Sequence, residues 1–445
     1  MNYHFGKISR PQCMSMAGII YMTSTLFHPV VNVLVFLLPV MAVWIPHAAS
    51  TILILLALLG LRAWFVVERK IKFNWPEKAV MISFAAILAM GLLSVPFHWL
   101  SPDNFQSDFQ YDHEIKLLLF IPIYFLFVHS DLKPKTFWFG LCAGAVFAGA
   151  WSSISFYLLG TSGRIVGAYN PILLGDMSVA IGFASLAGIH FFEKKQMAMI
   201  LIPIAAVLMG LAAAFLSGTR GALIAVPLLL LVFWIQIGNH SRAWTLRTLL
   251  IGLVTAVFLG GYFLSGSSLD KRMRDGLHTI ADTFVGQEKS IQSAPDFSTA
   301  ARLRMWKEAI EIIGSHPWIG VGDDGFEHIL QEKSKTEPSV KPITNFSTTH
   351  NMYLEFMTIH GIFGFPVILA LFVTPLILFI LCIQQENEAR DFAYAGVVVV
   401  LAFMQFSLTE SLMERSIPIA IYVVFIAAAM ALCRKNKSHT QPGDG

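Results

Sequence analysis

Long apolar runs, each bounded by a few polar residues, dominate this chain. A membrane-spanning helix needs about 20 mostly apolar residues. By that measure the pattern predicts twelve spans, near 28–46, 50–67, 78–98, 116–129, 136–159, 171–192, 197–217, 220–237, 247–265, 362–383, 393–409 and 416–433. The fourth is short, and very tight turns are expected around residues 50 and 220. The stretch around 14–27 is interrupted by polar residues and reads as interfacial. The polar head before it lacks the compact apolar core of a cleavable signal peptide.

Residues 266–361 break the rhythm of short connections, and a loop of such length is commonly functional when ordered. Within it Leu303, Trp306, Ala309, Ile310 and Ile313 recur at helical spacing. The helix they predict starts at a cap on Ser298 or Thr299, carries Arg302 in its first turn and ends at Gly314 and Pro317. Gly320 to Gly325 reads as a turn into a short helix bearing Phe326, Ile329 and Leu330. Another helix is expected to begin at Thr348 or Thr349. It would hold His350 at its N-terminus, where the helix dipole favours neutral imidazole, with Tyr353 and Met357 on the same face and Glu355 on another. The fold class is therefore all-α: a polytopic integral membrane protein with about twelve transmembrane helices and a large helical periplasmic loop. Its units are spans one to nine (1–265), the loop (266–361), spans ten to twelve (362–433) and a tail (434–445).

Composition agrees. Hydrophobic residues make up 56% and charged residues 13%, against roughly 45–50% and about 25% in soluble chains; the mean hydropathy is +0.65. A soluble enzyme is excluded. With 31 basic against 28 acidic residues, nothing favours a nucleic acid partner. Lys and Arg concentrate in alternate connections, among them Arg69, Lys70, Lys133, Lys135, Lys194, Lys195, Arg242 and Arg390, which places both termini in the cytoplasm. The short connections on the opposite side hold Lys116, Arg164, Arg220 and Arg415. Cys13, Cys142, Cys382 and Cys433 fall near the cytoplasmic face, so neither a disulfide framework nor a thiolate metal site is indicated.

The candidate chemistry lies on the opposite side. A single arginine at a span end usually snorkels to lipid headgroups. Four of them on one side (Arg164, Arg220, Arg302 and Arg415) suggest a positive pocket, and the guanidinium fork suits phosphate oxygens. His350 is a candidate base, set against the commoner role of a surface or capping histidine; His316 and His360 read as structural. Asp323 and Asp324 sit in a glycine turn, and Asp103, Asp108, Asp112 and Glu114 read as a solvated face, so no metal site is expected. No phosphate-binding glycine loop, GxSxG or HExxH is present, which argues against ATP hydrolysis; no cofactor is expected.

Four motifs carry a family resemblance. They are Phe215-Leu-Ser-Gly-Thr-Arg-Gly-Ala222, Ala301-Arg-Leu-Arg-Met-Trp306, Ser315-His-Pro-Trp-Ile-Gly-Val-Gly322 and Thr349-His-Asn-Met-Tyr-Leu354. With the large loop before the last spans, they resemble the O-antigen ligase and polymerase superfamily of bacterial envelope glycosyltransferases. Gly163-Arg-Ile and the Arg-Ser-Ile-Pro run at 415–418 are similar to stretches of its ligases. The resemblance implies transfer of a glycan from undecaprenyl diphosphate, at the periplasmic face of the inner membrane and without metal or ATP. For a ligase, the acceptor is a sugar hydroxyl of lipid A–core, completing lipopolysaccharide. It also implies essential roles for Arg220, Arg302 and His350, matches Arg164 and Arg415 less closely, and leaves Asn351 and Glu355 as supporting residues. The implied mechanism is inverting displacement, with His350 as base or orienter and the arginines on the departing diphosphate. The alternatives are an O-antigen polymerase or a protein O-oligosaccharyltransferase using the same donor and, in another class, a flippase or secondary transporter. No internal repeat of the kind common in transporters is visible.

Overall fold

The computed structural model describes residues 16–66, 71–99, 111–161, 163–238, most of 245–259, 267–284, 291–384 and 389–438. Among these there is no strand. Backbone that crosses hydrocarbon must satisfy its own hydrogen bonds, and a helix does so within one segment. The helices are α1 (Met16–Met41), α2 (Ala48–Val66), α3 (Trp75–Trp99), α4 (Asp112–Leu118), α5 (Phe120–His129), α6 (Pro134–Tyr157), α7 (Pro171–Leu186), α8 (Ile189–Lys195), α9 (Leu201–Ser217) and α10 (Arg220–Ile237). There follow α11 (Ser267–Phe284), α12 (Phe297–Ser315), α13 (Gly325–Thr336), α14 (Met352–His360), α15 (Gly364–Ile383), α16 (Ala389–Phe406) and α17 (Ser416–Ser438).

The chain is a polytopic helical membrane protein. Among the described residues eight helical segments are long and apolar enough to cross a membrane, or nine if α7 and α8, bent by 47° at their junction, count as one span. The expected count of twelve differs from this in three places. The apolar, described part of the first span, His28–Met41, is short by itself; α1 does continue back to Met16 through most of the stretch read as interfacial. The fourth span is divided at Leu119 into α4 and α5. Pro122 explains the division, because it has no N–H to offer the Leu118 carbonyl four residues back and its ring crowds that group. The ninth, 247–265, falls partly outside the described residues.

At the centre of the bundle stands α17, apolar all round and almost wholly buried, as a helix enclosed on every side must be. Phe84 stacks there on both Phe120 and Tyr422. Its far end is tied down by Arg434, whose Nη1 lies 2.6 Å from both oxygens of the buried Glu77. Glu77 also accepts from the Tyr124 hydroxyl at 2.7 Å and from the Asn74 backbone N–H at 2.7 Å, so one carboxylate joins α3, α5 and α17. The segment between α11 and α15 has a small core of its own, built from Ile291, Met305, Ala309, Ile312, Val321, Phe326, Leu330, Val340 and Ile343.

Candidate active site

The end of the bundle opposite Glu77 gathers the turns α6–α7, α9–α10 and α16–α17 under α12 and α14. The α9–α10 turn is set by Gly218, which ends α9 in the left-handed conformation at φ 65°, where only glycine is free of a Cβ penalty. Thr219 then turns its hydroxyl to the Pro171 carbonyl (2.9 Å) and the Ser217 hydroxyl (2.8 Å) rather than capping α10. Arg220 is the first residue of α10, at the positive end of that helix. Arg164, in the α6–α7 loop, donates from Nε to the Ser217 carbonyl at 2.7 Å. The same turn therefore positions both arginines.

Arg302 reaches this place from α12. That helix is capped by Asp296, whose side chain accepts from the Ser298 N–H at 3.1 Å and the Thr299 hydroxyl at 2.8 Å. The cap lies upstream of the expected Ser298 or Thr299, so Arg302 stands in the second turn instead of the first. Its Nη1 donates to the Ser298 hydroxyl at 3.1 Å, while its buried Nε has no hydrogen-bond partner among the described residues. Burial pulls Arg302 below its ordinary pKa; the charge of Glu410 opposes that, and Arg220 adds to it.

Arg164, Arg220 and Arg302 line one cavity of ≈ 600 Å³, within the usual range for a small-molecule site. The rest of its lining is largely apolar, with Phe215, Leu223, Ile224, Leu277, Ile280 and Trp306. Ile224 and Leu277 are also exposed on the outer surface. Three cations and an apolar lining thus share one cavity, part of whose apolar lining reaches the surface.

His350 does not line this cavity. It also differs from the expected helix terminus: the cap of α14 is Asn351, whose side chain accepts from the Tyr353 and Leu354 N–H groups at 3.1 Å. His350 precedes the cap at φ 53°, an uncommon conformation for a residue with a Cβ and one found often at functional sites. Its Nδ1 instead lies 3.1 Å from Oε2 of Glu410, a carboxylate only 1% exposed. Burial pushes Glu410 up, but His350, Arg302 and Arg415 together hold its carboxyl below the ordinary value. Its other oxygen is buried without a hydrogen-bond partner among the described residues. Thr409, beside it in sequence, lines the arginine cavity, so the His–Glu pair and the cavity are neighbours. Arg415 lies outside the cavity wall and is close enough to act on the charge of Glu410.

Asn351 and Glu355 build the scaffold of this turn. The Asn351 amide also donates to the Leu408 carbonyl at 3.2 Å. Glu355 corrects the expectation that it points elsewhere: its Oε2 accepts from the Thr349 N–H at 2.5 Å and the Thr349 hydroxyl at 2.7 Å, clamping the residue before His350. Trp306 donates to the Thr349 carbonyl at 3.1 Å, and the Val321 N–H pairs with Thr358 at 2.9 Å, so α12 and the glycine turn both brace α14. Asp323, in that turn as expected, is pushed up to about 7 by burial and by the charges of Glu114, Asp324 and Glu355. Glu114 is partly buried rather than part of a solvated face, while Asp103 and Asp108 lie outside the described residues.

Three acids went unremarked in the sequence. Asp176 is buried in α7, with one oxygen unpartnered among the described residues, and it acts electrostatically on Arg302. A lone acid inside an apolar span is itself a signal of function. Glu410, in the polar run between α16 and α17, gives a weaker signal of the same kind. Asp296 gives none beyond being a good cap. Among the described residues no group of three or more His, Cys, Asp or Glu is arranged to hold a metal ion.

Comparison with known proteins places this end of the chain in context. Residues 204–369 match the family described as O-antigen ligase, a segment that holds Arg220, Arg302 and His350. An uncharacterized protein of Haemophilus influenzae (strain Rd) is 25% identical over 391 residues, covering 87% of this chain and 94% of that protein.

Proposed function

From an O-antigen ligase family segment at residues 204–369, we propose that this chain transfers a glycan from undecaprenyl diphosphate to a sugar hydroxyl of lipid A–core, completing lipopolysaccharide. The observation that carries the reading is the amphiphilic cavity. A polyprenyl diphosphate is a dianionic or more highly charged head on a greasy chain, and a cavity lined by three arginines and by apolar side chains matches both parts. The first turn of α10 adds backbone N–H groups with no side-chain cap, as anion sites at helix N-termini do.

The chemistry follows from the pair beside the cavity. Nδ1 of His350 faces Glu410, which leaves Nε2 for the acceptor hydroxyl. The acceptor oxygen attacks the anomeric carbon from the side opposite the diphosphate and its proton passes to Nε2. The bond from that carbon to the phosphate oxygen breaks, and configuration inverts. Glu410 stabilises the imidazolium that forms, while Arg302, Arg220 and Arg164 neutralise charge growing on the departing diphosphate, the kind of term that often dominates such catalysis. A positioned base contributes typically about 10²–10⁴-fold. The donor's own glycosyl phosphate bond supplies the driving force, so neither ATP nor metal enters.

The topology belongs to the same proposal: twelve crossings of the bacterial inner membrane, both termini cytoplasmic and the site facing the periplasm, where the donor's glycan and the acceptor core both lie. The test is reconstitution of the purified protein with lipid-linked O-antigen and lipid A–core, in chelator and without ATP. Glycan on lipid A–core is the expected product. Longer lipid-linked chains with unmodified core would make the protein a polymerase, and no transfer between competent substrates would overturn the enzyme reading.

A further inference from the structure

One of the three cavity arginines already holds an anion. Arg220 Nη2 lies 2.6 Å from Oδ2 of Asp296, with the two side chains 27% and 12% exposed. The acid is fixed from the other direction, since its two oxygens accept from the Ser298 N–H and the Thr299 hydroxyl at the start of α12. Burial pushes Asp296 up, yet the bonds from Thr299 and Arg220 hold it below its ordinary value, so it is charged at neutral pH. The arginine is the more exposed member of the pair. It stands on the cavity wall, and the position facing it on α11 is Gly276, where a Cβ would come within 2.8 Å of Nη1.

Carboxylate and phosphate oxygens compete for the same guanidinium fork. We propose that Asp296 is the internal counter-anion of the donor site: it holds Arg220 while the cavity is empty, yields it to the incoming diphosphate and reclaims it as the product diphosphate leaves. The inference rests on the donor reading above. It assigns Asp296 a positioning role with a sign opposite to that of a residue that merely orients Arg220. An orienting acid strengthens donor binding, whereas a counter-anion weakens it and speeds release.

The decisive variant is Asp296→Asn, because Asn caps helices as well as Asp does and removes the charge together with the second acceptor oxygen, the one that meets Arg220. Asp296→Ser, also a good neutral cap, is the second variant should the first fold poorly. The probe is undecaprenyl diphosphate binding to the full-length protein in nanodiscs, with donor KM and kcat measured in the reconstituted transfer. Asp296→Asn is expected to bind undecaprenyl diphosphate roughly tenfold more tightly, the scale of one charge-assisted bond that no longer has to be given up. Donor KM falls with it, kcat falls because product release slows, and the gain disappears in an Arg220→Gln background. Equal or weaker binding by both neutral variants, with the wild type binding normally, would overturn the inference and leave the donor reading standing. A wild type that neither binds undecaprenyl diphosphate nor transfers glycan would remove the donor reading, and this inference with it.

Discussion

Replacing Glu410 by Gln is the sharpest test of the mechanism. The substitution keeps an oxygen to accept from Nδ1 of His350 and keeps the size of the side chain, but removes the charge that meets the imidazolium. The contact is 3.1 Å long and the carboxylate is 1% exposed, so solvent screens little of it. A hydrogen bond to a charged group is worth about 1.5–3 kcal/mol, and each 1.36 kcal/mol is about tenfold in rate. The neutral bond that Gln retains is worth about 0.5–1.5 kcal/mol, so the difference of about 1–1.5 kcal/mol sets an expected loss in kcat of about 5- to 13-fold. Donor KM does not rise, because neutralising Glu410 leaves Arg302, which feels its charge, more attractive to a diphosphate. The assay is the initial rate of glycan transfer to lipid A–core in nanodiscs at saturating donor. A double variant with His350→Ala provides the second check, since residues acting as one unit are not additive. Wild-type kcat in Glu410→Gln would refute the argument, and so would a double variant slower than His350→Ala by the full single-variant factor. The sign with pH is also fixed. The native carboxyl is held below its ordinary value, so what the pair contributes is present above the unfolded carboxyl pKa and is lost as pH falls through the lowered native one.

The other expectations concern the cavity, the turn and the glycine run. His350→Asn suits the positive φ of this position and should fold and insert normally while transfer becomes undetectable; measurable transfer would remove His350 from the chemistry. Arg302→Ala should abolish transfer with the protein still inserted. Arg302→Lys should restore little of it, because a point charge lacks the planar fork; wild-type donor KM in the Lys variant would contradict this. Asp323, raised to about 7, destabilises the native state increasingly as pH climbs from the ordinary carboxyl range to 7. Asp323→Asn should therefore raise Tm more at pH 8.5 than at pH 5.5, and an equal shift at both would assign the effect to packing.

What the sequence disclosed and what it withheld have distinct physical causes. Apolar length is a property of a segment alone, so α2, α3, α6, α10 and α15–α17 were legible within a few residues. Arg164, Arg220, Arg302 and Arg415 stood out as cations in connections expected to be poor in them; three of them line one cavity, while Arg415 lies outside its wall. The caps were not: Asp296, Ser298 and Thr299 are all good capping residues, and which one serves is decided by tertiary contacts such as the pairing with Arg220. The same holds for Asn351, which displaced Thr349 as cap once Glu355 had engaged the threonine. Glu410 became visible as the partner of His350 only when residues sixty apart were brought together. Asp176, a solitary acid in an apolar run, carried a signal that went unused.

The central position of α17 has a consequence for how the protein is made. The ribosome delivers this helix after every element it packs against, so α2, α4, α5 and α16 enter the bilayer around a core that does not yet exist. Until Arg434 reaches Glu77, that carboxylate lacks its cationic partner and the ring of Phe84 lacks Tyr422. Quality control acting on exposed polar groups within the membrane would meet an unfinished molecule for as long as this helix is delayed. A chain cut before Ser416 should accordingly be inserted and then degraded, whereas a fusion placed after Ser438 should leave assembly untouched.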